Sequence, residues 1–177
     1  PIVRQFERPK PTLRVWVKAL RIHQWPKNAL IFVAPLLAMT TLTADKMIAC
    51  LIAFPLLGMM ASGTYILNDL LDLQADRNHH SKRRRPFAAG KLKLWQGFVA
   101  APLLIGAGLL GGILLSLPFA VTMLAYLIVT CTYSVYLKRV PLLDAAILGF
   151  LFTLRLVMGG VLTGIPVSHW LVVLSMF

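Results

Sequence analysis

The chain has 177 residues, 58% of them hydrophobic, and a mean hydropathy of +0.77. That composition excludes an ordinary soluble domain, because too little polar surface is available to cover so much apolar volume. Eighteen Lys and Arg against six Asp and Glu give a formal charge of +12, but the basic residues are grouped between apolar runs, which marks membrane topology and argues against nucleic-acid binding.

Residues 1–20 read as a basic juxtamembrane linker, since the opening PIVRQFERPKPT is charged, carries prolines and holds no apolar run that could serve as a signal sequence. Residues 21–177 read as a membrane domain. A spanning helix needs roughly 20 apolar residues to cross about 30 Å of hydrocarbon, so long gaps between charges are diagnostic. Uncharged runs cover Asn28 to Ala44, Met47 to Asn68, and Leu94 to Leu137, the last dividing at Ser116, Leu117 and Pro118. A fifth predicted span runs from about Leu143 to Thr163, and a sixth starts near Trp170 and is cut at Phe177. The expected architecture is all-α: a polytopic transmembrane helix bundle with about five complete spans plus a truncated sixth. The start at Pro1 and the stop inside a helix read as a fragment of a longer protein.

Seven Lys and Arg precede the first predicted span and seven lie between the second and third, while Lys138 and Arg139 follow the fourth. The alternate loops are almost free of basic residues, which places the N-terminus and the loop after span two in the cytoplasm. Trp16, Trp25, Trp95 and Trp170 fall near span ends, where indole rings favour the interface. Gly108 with Gly112 and Gly160 with Gly164 are spaced to let helices approach closely. Cys50 and Cys131 lack metal or redox spacing and read as buried, inert thiols.

The acidic residues are few and unevenly placed. Of Glu7, Asp45, Asp69, Asp72, Asp76 and Asp144, three fall within eight positions of the stretch YILNDLLDLQADRNHHSKRRR at 65–85. At about 100° per residue, Tyr65, Asp69, Asp72 and Asp76 share a sector of roughly 60° on a helix, with Asn68 beside them. Three carboxylates on one face repel one another and require a cation. One reading pairs them with Arg77 and the Lys82 to Arg85 run; the other places a divalent metal there. Carboxylates suit Mg²⁺, which is usually held by one or two of them together with waters and substrate phosphates. In that second reading the Lys82 to Arg85 run, Arg83 and Arg84 within it, supplies guanidinium forks for phosphate oxygens, alongside its role as a topology signal. His79 and His80 are adjacent, share no helical face, and read as loop residues.

Further along, Asp144 and Arg155 are eleven apart and share a face of span five. An arginine within hydrocarbon normally points into the bundle; pairing with a helix carbonyl and contact with a phosphate both stay open for Arg155, and Asp144 is a candidate helper of the metal site. Before span one, Arg21, Gln24, Lys27 and Asn28 form a polar cluster. Snorkelling accounts for Arg21 and Lys27 and capping for Asn28, with Lys27 and Asn28 also candidates to line a site.

The run N-D-L-L-D-L-Q-A-D at 68–76 resembles the N-D-x-x-D-x-x-x-D motif of the UbiA superfamily of intramembrane prenyltransferases. R-I-H-Q-W-P-K-N at 21–28, K-R-R-R-P-F-A-A-G at 82–90 and Y-S-V-Y-L-K-R-V-P-L-L-D at 133–144 are most similar to its decaprenyl-phosphate phosphoribosyltransferase-like branch. The resemblance implies the N-terminal part of a roughly nine-helix fold, in which Asp69, Asp72 and Asp76 hold Mg²⁺ and a diphosphate, with a second polar motif beyond the sixth helix. It implies Lys138 as a phosphate contact, although the spacing from Tyr133 is one residue longer than the superfamily's Tyr-x-x-x-Lys. The implied reaction moves 5-phosphoribose from phosphoribosyl diphosphate to a polyprenyl phosphate, at the inner membrane of a bacterial-type cell, with no nucleic-acid partner. Prenylation of an aromatic ring from a polyprenyl diphosphate uses the same metal logic and remains an alternative. A non-catalytic lipid-binding or transport protein is another, and it predicts paired polar residues at mid-membrane.

Overall fold

In hydrocarbon an apolar run satisfies its own backbone only as a helix or a closed barrel, and here the chain chooses helix throughout. The computed structural model describes residues 12–38, 41–136 and 141–176, and there is no strand among them. In order come α1 (Leu13–Ala19), a 3₁₀ segment (Ile22–Phe32), α2 (Val33–Leu37), α3 (Ala44–Leu71), α4 (Leu73–Asn78), a 3₁₀ turn (Lys82–Arg84), α5 (Leu94–Leu115), α6 (Leu117–Val135), α7 (Pro141–Thr163) and α8 (His169–Ser175). The all-helical, polytopic expectation is met.

Among the described residues four helices are long and apolar enough to cross a bilayer: α3, α5, α6, and α7 from Leu143 to Thr163. The 44-residue apolar run divides where predicted, with Ser116 extended at φ −167° and Pro118 in the first turn of α6. α8 is the short start of the predicted sixth span.

The first predicted span departs from expectation. Instead of an α-helix over 28–44, the chain forms the 3₁₀ segment and α2 as one continuous run from Ile22 to Leu37, with Pro26 and Pro35 inside it. Arg21 meets Asp69, Trp25 meets Ser62, and the rings of Phe32 and Phe54 lie 6.1 Å apart, so the run lies antiparallel to α3. A 3₁₀ helix rises about 2.0 Å per residue against 1.5 Å for α, so these sixteen residues extend about 30 Å, the thickness of the hydrocarbon layer. Taking Lys27 as a boundary placed the predicted start too late.

α3 is the central element, packing on α5, α6, α7 and the 3₁₀ segment. Ile31, Leu57, Met60, Phe119, Met123 and Met158 fill the middle of the bundle. A second cluster of Ile66, Phe87, Leu92 and Ala101 takes in Val15, Trp16 and Ala19 from α1, so part of the basic N-terminal stretch docks on the bundle. Leu103, Leu114, Leu124, Trp95 and Trp170 face outward, as a lipid solvent allows. Cys50 is buried, whereas Cys131 is exposed on the outer face, unlike the expectation.

The small-residue positions divide in use. A Cβ at Gly108 would lie 2.8 Å from the Leu56 carbonyl oxygen, so only glycine lets α5 come this close to α3. Gly164 instead ends α7 at φ 65° as a left-handed cap. Trp25 is likewise not an interfacial ring: its indole N–H donates to the Ser62 hydroxyl at 3.1 Å and its face covers Gly58.

Candidate functional site

The acidic column begins on α3 but does not stay on one helix. α3 ends at Leu71, and Asp72 (φ −89°, ψ 8°) forms the joint with α4. Asp69 therefore sits on the last turn of α3, Asp72 at the joint, and Asp76 on α4. Asp69 and Asp76 are each 2% exposed, and buried carboxylates must be paired. Arg21 Nη2 donates to Asp69 Oδ1 at 2.5 Å. Arg85 Nη1 donates to both Asp69 Oδ1 at 3.2 Å and Asp76 Oδ2 at 2.7 Å, tying α3 to α4.

The partners come from two unrelated parts of the chain. Arg21 precedes the 3₁₀ segment and is the one described non-glycine residue with positive φ, 51°. Its guanidinium lies 4.9 Å over the Tyr65 ring, a favourable cation–π arrangement. Arg85 ends the Lys82–Arg84 turn. With three residues per turn, positions 82 and 85 eclipse, so half-buried Arg85 and exposed Lys82 both line the cavity, while Arg83 and Arg84, also exposed, do not. The basic contribution from this run is thus made by Lys82 and Arg85, in place of the predicted Arg83 and Arg84.

These groups open onto a cavity of about 480 Å³. Asn68, Asp72 and Asp76 form one wall, Arg21 and Lys27 a second, and His79, Lys82 and Arg85 the rim. α6 contributes Tyr126, Thr130 and Tyr133; α7 contributes Leu148, Leu151, Phe152 and Arg155. His79 holds the rim loop in shape, its Nδ1 accepting from the backbone N–H of Ser81 at 3.2 Å and of Lys82 at 3.4 Å.

Deeper in, Arg155 is buried. Its Nε donates to Asn28 Oδ1 at 3.1 Å, Nη1 to the Leu151 carbonyl at 3.1 Å, and Nη2 to the Tyr126 hydroxyl at 2.5 Å. Asn28 thus orients Arg155 and does not itself line the cavity. Asp144 also stands back from it: the Tyr133 hydroxyl donates to Asp144 Oδ1 at 2.5 Å, and the tyrosine is the lining group. Lys27 reaches the cavity with Nζ 5.9 Å from the Phe152 ring. Lys138 lies outside the described residues.

Among the described residues no three His, Cys, Asp or Glu side chains stand close enough to cage a metal ion. Asp69 is taken up by Arg21 and Arg85 and is absent from the cavity wall, so the expected three-aspartate cradle is not formed. The wall of Asn68, Asp72 and Asp76 still offers hard oxygen donors, and Mg²⁺ is commonly held by one or two carboxylates with the rest of its shell from waters and phosphates. The residues fit an ion shared with a bound diphosphate, not a protein-only site. Arg21, Lys82, Arg85, Tyr126 and His79 were not among the expected site residues, although the reading that paired the carboxylates with the Lys82 to Arg85 run is met at Arg85. The three-residue period of the turn and the R-I-H-Q-W-P-K-N block were the available signals.

Residues 29–177 match the UbiA prenyltransferase family. The uncharacterized protein y4nM of Sinorhizobium fredii is 45% identical over 156 residues, covering 88% of this chain and 30% of its own length. Decaprenyl-phosphate phosphoribosyltransferase of Mycolicibacterium smegmatis is 36% identical over 173 residues, covering 96% of this chain and 54% of its own. The chain therefore spans about half or less of these relatives. A solved UbiA homologue from Archaeoglobus fulgidus, bound to DMAPP and Mg²⁺, superposes with a TM-score of 0.70 at 17% identity, over 91% of this chain and 58% of that one. At that identity the likeness is one of fold.

Proposed function

The chain belongs to the UbiA prenyltransferase family, and from that premise we propose that it forms part of an integral membrane transferase moving 5-phosphoribose from phosphoribosyl diphosphate to a polyprenyl phosphate. One observation carries the reading: a single cavity brings Arg21, Lys27, Lys82, Arg85 and Arg155 around Asp72 and Asp76. That excess of fixed cations over carboxylates suits a polyanionic donor. The name of the Mycolicibacterium smegmatis relative favours the phosphoribosyl donor over a prenyl one.

Asp72 and Asp76, with Asn68 and donor phosphate oxygens, would hold Mg²⁺, which when bound supplies Lewis-acid charge and a template; the Mg²⁺ of the Archaeoglobus fulgidus homologue is consistent with this. Arg21, Lys82 and Arg85 place positive charge where the departing pyrophosphate gains negative charge, Arg21 and Arg85 being held ready by their carboxylates. Asp69 is a positioning residue, holding Arg21 and Arg85 in place. The ribose C1–O bond breaks with its electron pair leaving on pyrophosphate, and an oxygen of the acceptor phosphate bonds to C1. Lys138 is kept as a further phosphate contact. Arg83 and Arg84, exposed and outside the cavity lining, serve the topology.

The Arg21–Asp69 contact puts the end of the basic N-terminal stretch and the acidic end of α3 on one side of the bundle. The positive-inside rule makes that side cytoplasmic, where a soluble donor reaches the cavity while the acceptor arrives through the inner membrane.

The test supplies membranes bearing the full-length protein with labelled phosphoribosyl diphosphate or labelled polyprenyl diphosphate. Label from the first should enter a lipid phosphate with release of pyrophosphate. Label passing only from the second to an aromatic acceptor would replace this reading, and no transfer from either would end it.

A further inference from the structure

Among the described residues, the charge at the inner end of the cavity has no counter-ion. Arg155 is 5% exposed, on a helix that crosses the membrane, and a buried charge is costly unless compensated. Its three bonded partners, Asn28, the Leu151 carbonyl and the Tyr126 hydroxyl, are all neutral. Among the described residues no carboxylate pairs with it. Asp144, on the same helix, is engaged by Tyr133 instead. The rings of Tyr126 and Phe152, with centroids 4.9 and 5.4 Å from Cζ, offset part of the charge and pin the plane of the guanidinium.

A guanidinium has five N–H donors, and three are spent on those neutral partners, which leaves two for the cavity. The Tyr126 hydroxyl accepts from Arg155 and has the Thr130 side chain beside it, and its own proton is left to donate to another acceptor. Arg155 bonds Asn28, seven residues past Arg21 along the 3₁₀ segment, about 14 Å at 2.0 Å per residue, and Arg21 bonds Asp69, so this cluster is anchored well inside the bundle from the acidic end of α3. Leu148, Leu151 and Phe152 flank it with apolar surface.

Resting on the transferase reading above, we propose that Arg155 and Tyr126 form a second anion subsite, specific for a phosphate monoester and separate from the diphosphate end at Asp72, Asp76 and Arg85. A monoester needs one compact set of charged donors and no metal, which is what the cluster offers. Two sources carry that chemistry: the head group of the acceptor lipid, and the 5-phosphate of the donor.

The full-length protein in lipid nanodiscs is titrated with a polyprenyl phosphate, the matching polyprenol, ribose 5-phosphate and inorganic pyrophosphate. If the subsite takes the lipid, wild type binds the polyprenyl phosphate at least about tenfold more tightly than the polyprenol, on the scale of a charge-assisted hydrogen bond. Arg155→Gln removes that preference and leaves pyrophosphate binding unchanged. Tyr126→Phe, which keeps the ring and so the packing, lowers it severalfold and serves if Arg155→Gln does not fold. Ribose 5-phosphate binding lost in the same variants assigns the subsite to the donor's 5-phosphate. Monoester binding that is insensitive to both variants overturns the proposal, as does an equal loss of pyrophosphate binding, which would make Arg155 part of the diphosphate end. The transferase reading fails separately, by the absence of transfer from either labelled donor, a result that leaves these titrations intact.

Discussion

Arg21 and Asp69 meet at 2.5 Å across 48 residues of chain, and Arg21 reaches that contact from a left-handed backbone. For a residue with a Cβ that conformation costs roughly 1–2 kcal/mol, so the surroundings must hold it in place. The stack on Tyr65 and the pair with Asp69 do so, leaving a cation set at the cavity wall before any anion arrives. Arg21→Lys keeps the charge but loses the planar stack and fork. It is expected to raise KM for the diphosphate donor about tenfold, read from initial rates in membranes. An unchanged KM would confine Arg21 to a structural role.

Asp72→Asn should lower turnover by about a hundredfold or more, the scale seen when one preorganised electrostatic contact is lost, and should raise the Mg²⁺ concentration needed for half-maximal rate. In the wild type, EDTA should abolish turnover and added Mg²⁺ restore it. A variant with an ordinary Mg²⁺ titration would remove Asp72 from the site.

Asp69→Asn acts on the fold as well as the chemistry, because it leaves Arg21 and Arg85 short of one buried carboxylate. Both arginines keep about a fifth of their side-chain surface in solvent, so the loss should fall below that of a fully buried pair, about 1–3 kcal/mol. A thermal midpoint in detergent that does not move would refute this.

Arg85 and Arg83 are two residues apart and are expected to behave differently. Arg85→Gln breaks the contacts to Asp69 and Asp76 and removes a lining cation, so inhibition by pyrophosphate should weaken at least about tenfold. Arg83→Gln, on an exposed side chain, should leave it within about twofold. Equal effects would mean that the run acts through bulk charge alone.

Gly108→Leu probes the bundle away from the site. The new Cβ would press on the Leu56 carbonyl, and overpacking of this kind costs about 1–3 kcal/mol. The thermal midpoint should drop, while Gly106→Leu, where a Cβ would meet nothing within 4 Å, should leave it in place.

Local patterns carried much of this fold. Uncharged length marked α3, α5, α6 and α7, because a chain in hydrocarbon has no choice but to close its own hydrogen bonds. Spacing also singled out Asp72 and Asp76, and it singled out Arg155 as a cost that needs a reason. It misled where a period was assumed to continue. The 100° helical wheel carried Asp69, Asp72 and Asp76 past a joint at Asp72 that no residue type announces, and the same wheel hid the three-residue turn that selects Lys82 and Arg85. Pairings such as Arg21 with Asp69, or Asn28 with Arg155, 127 residues apart, are made by packing and leave no trace in local sequence.

The extended winding of Ile22–Phe32 makes those eleven residues a ruler. Rewound as ordinary α-helix they would be shorter by about 5 Å, enough to pull Arg21 off Asp69 while Phe32 stayed beside Phe54. The reach of one arginine at the membrane surface is thereby set by the pitch of a helix that never touches the acid. Pro26, whose ring would clash with the carbonyl four residues back in an α-helix, guards that length.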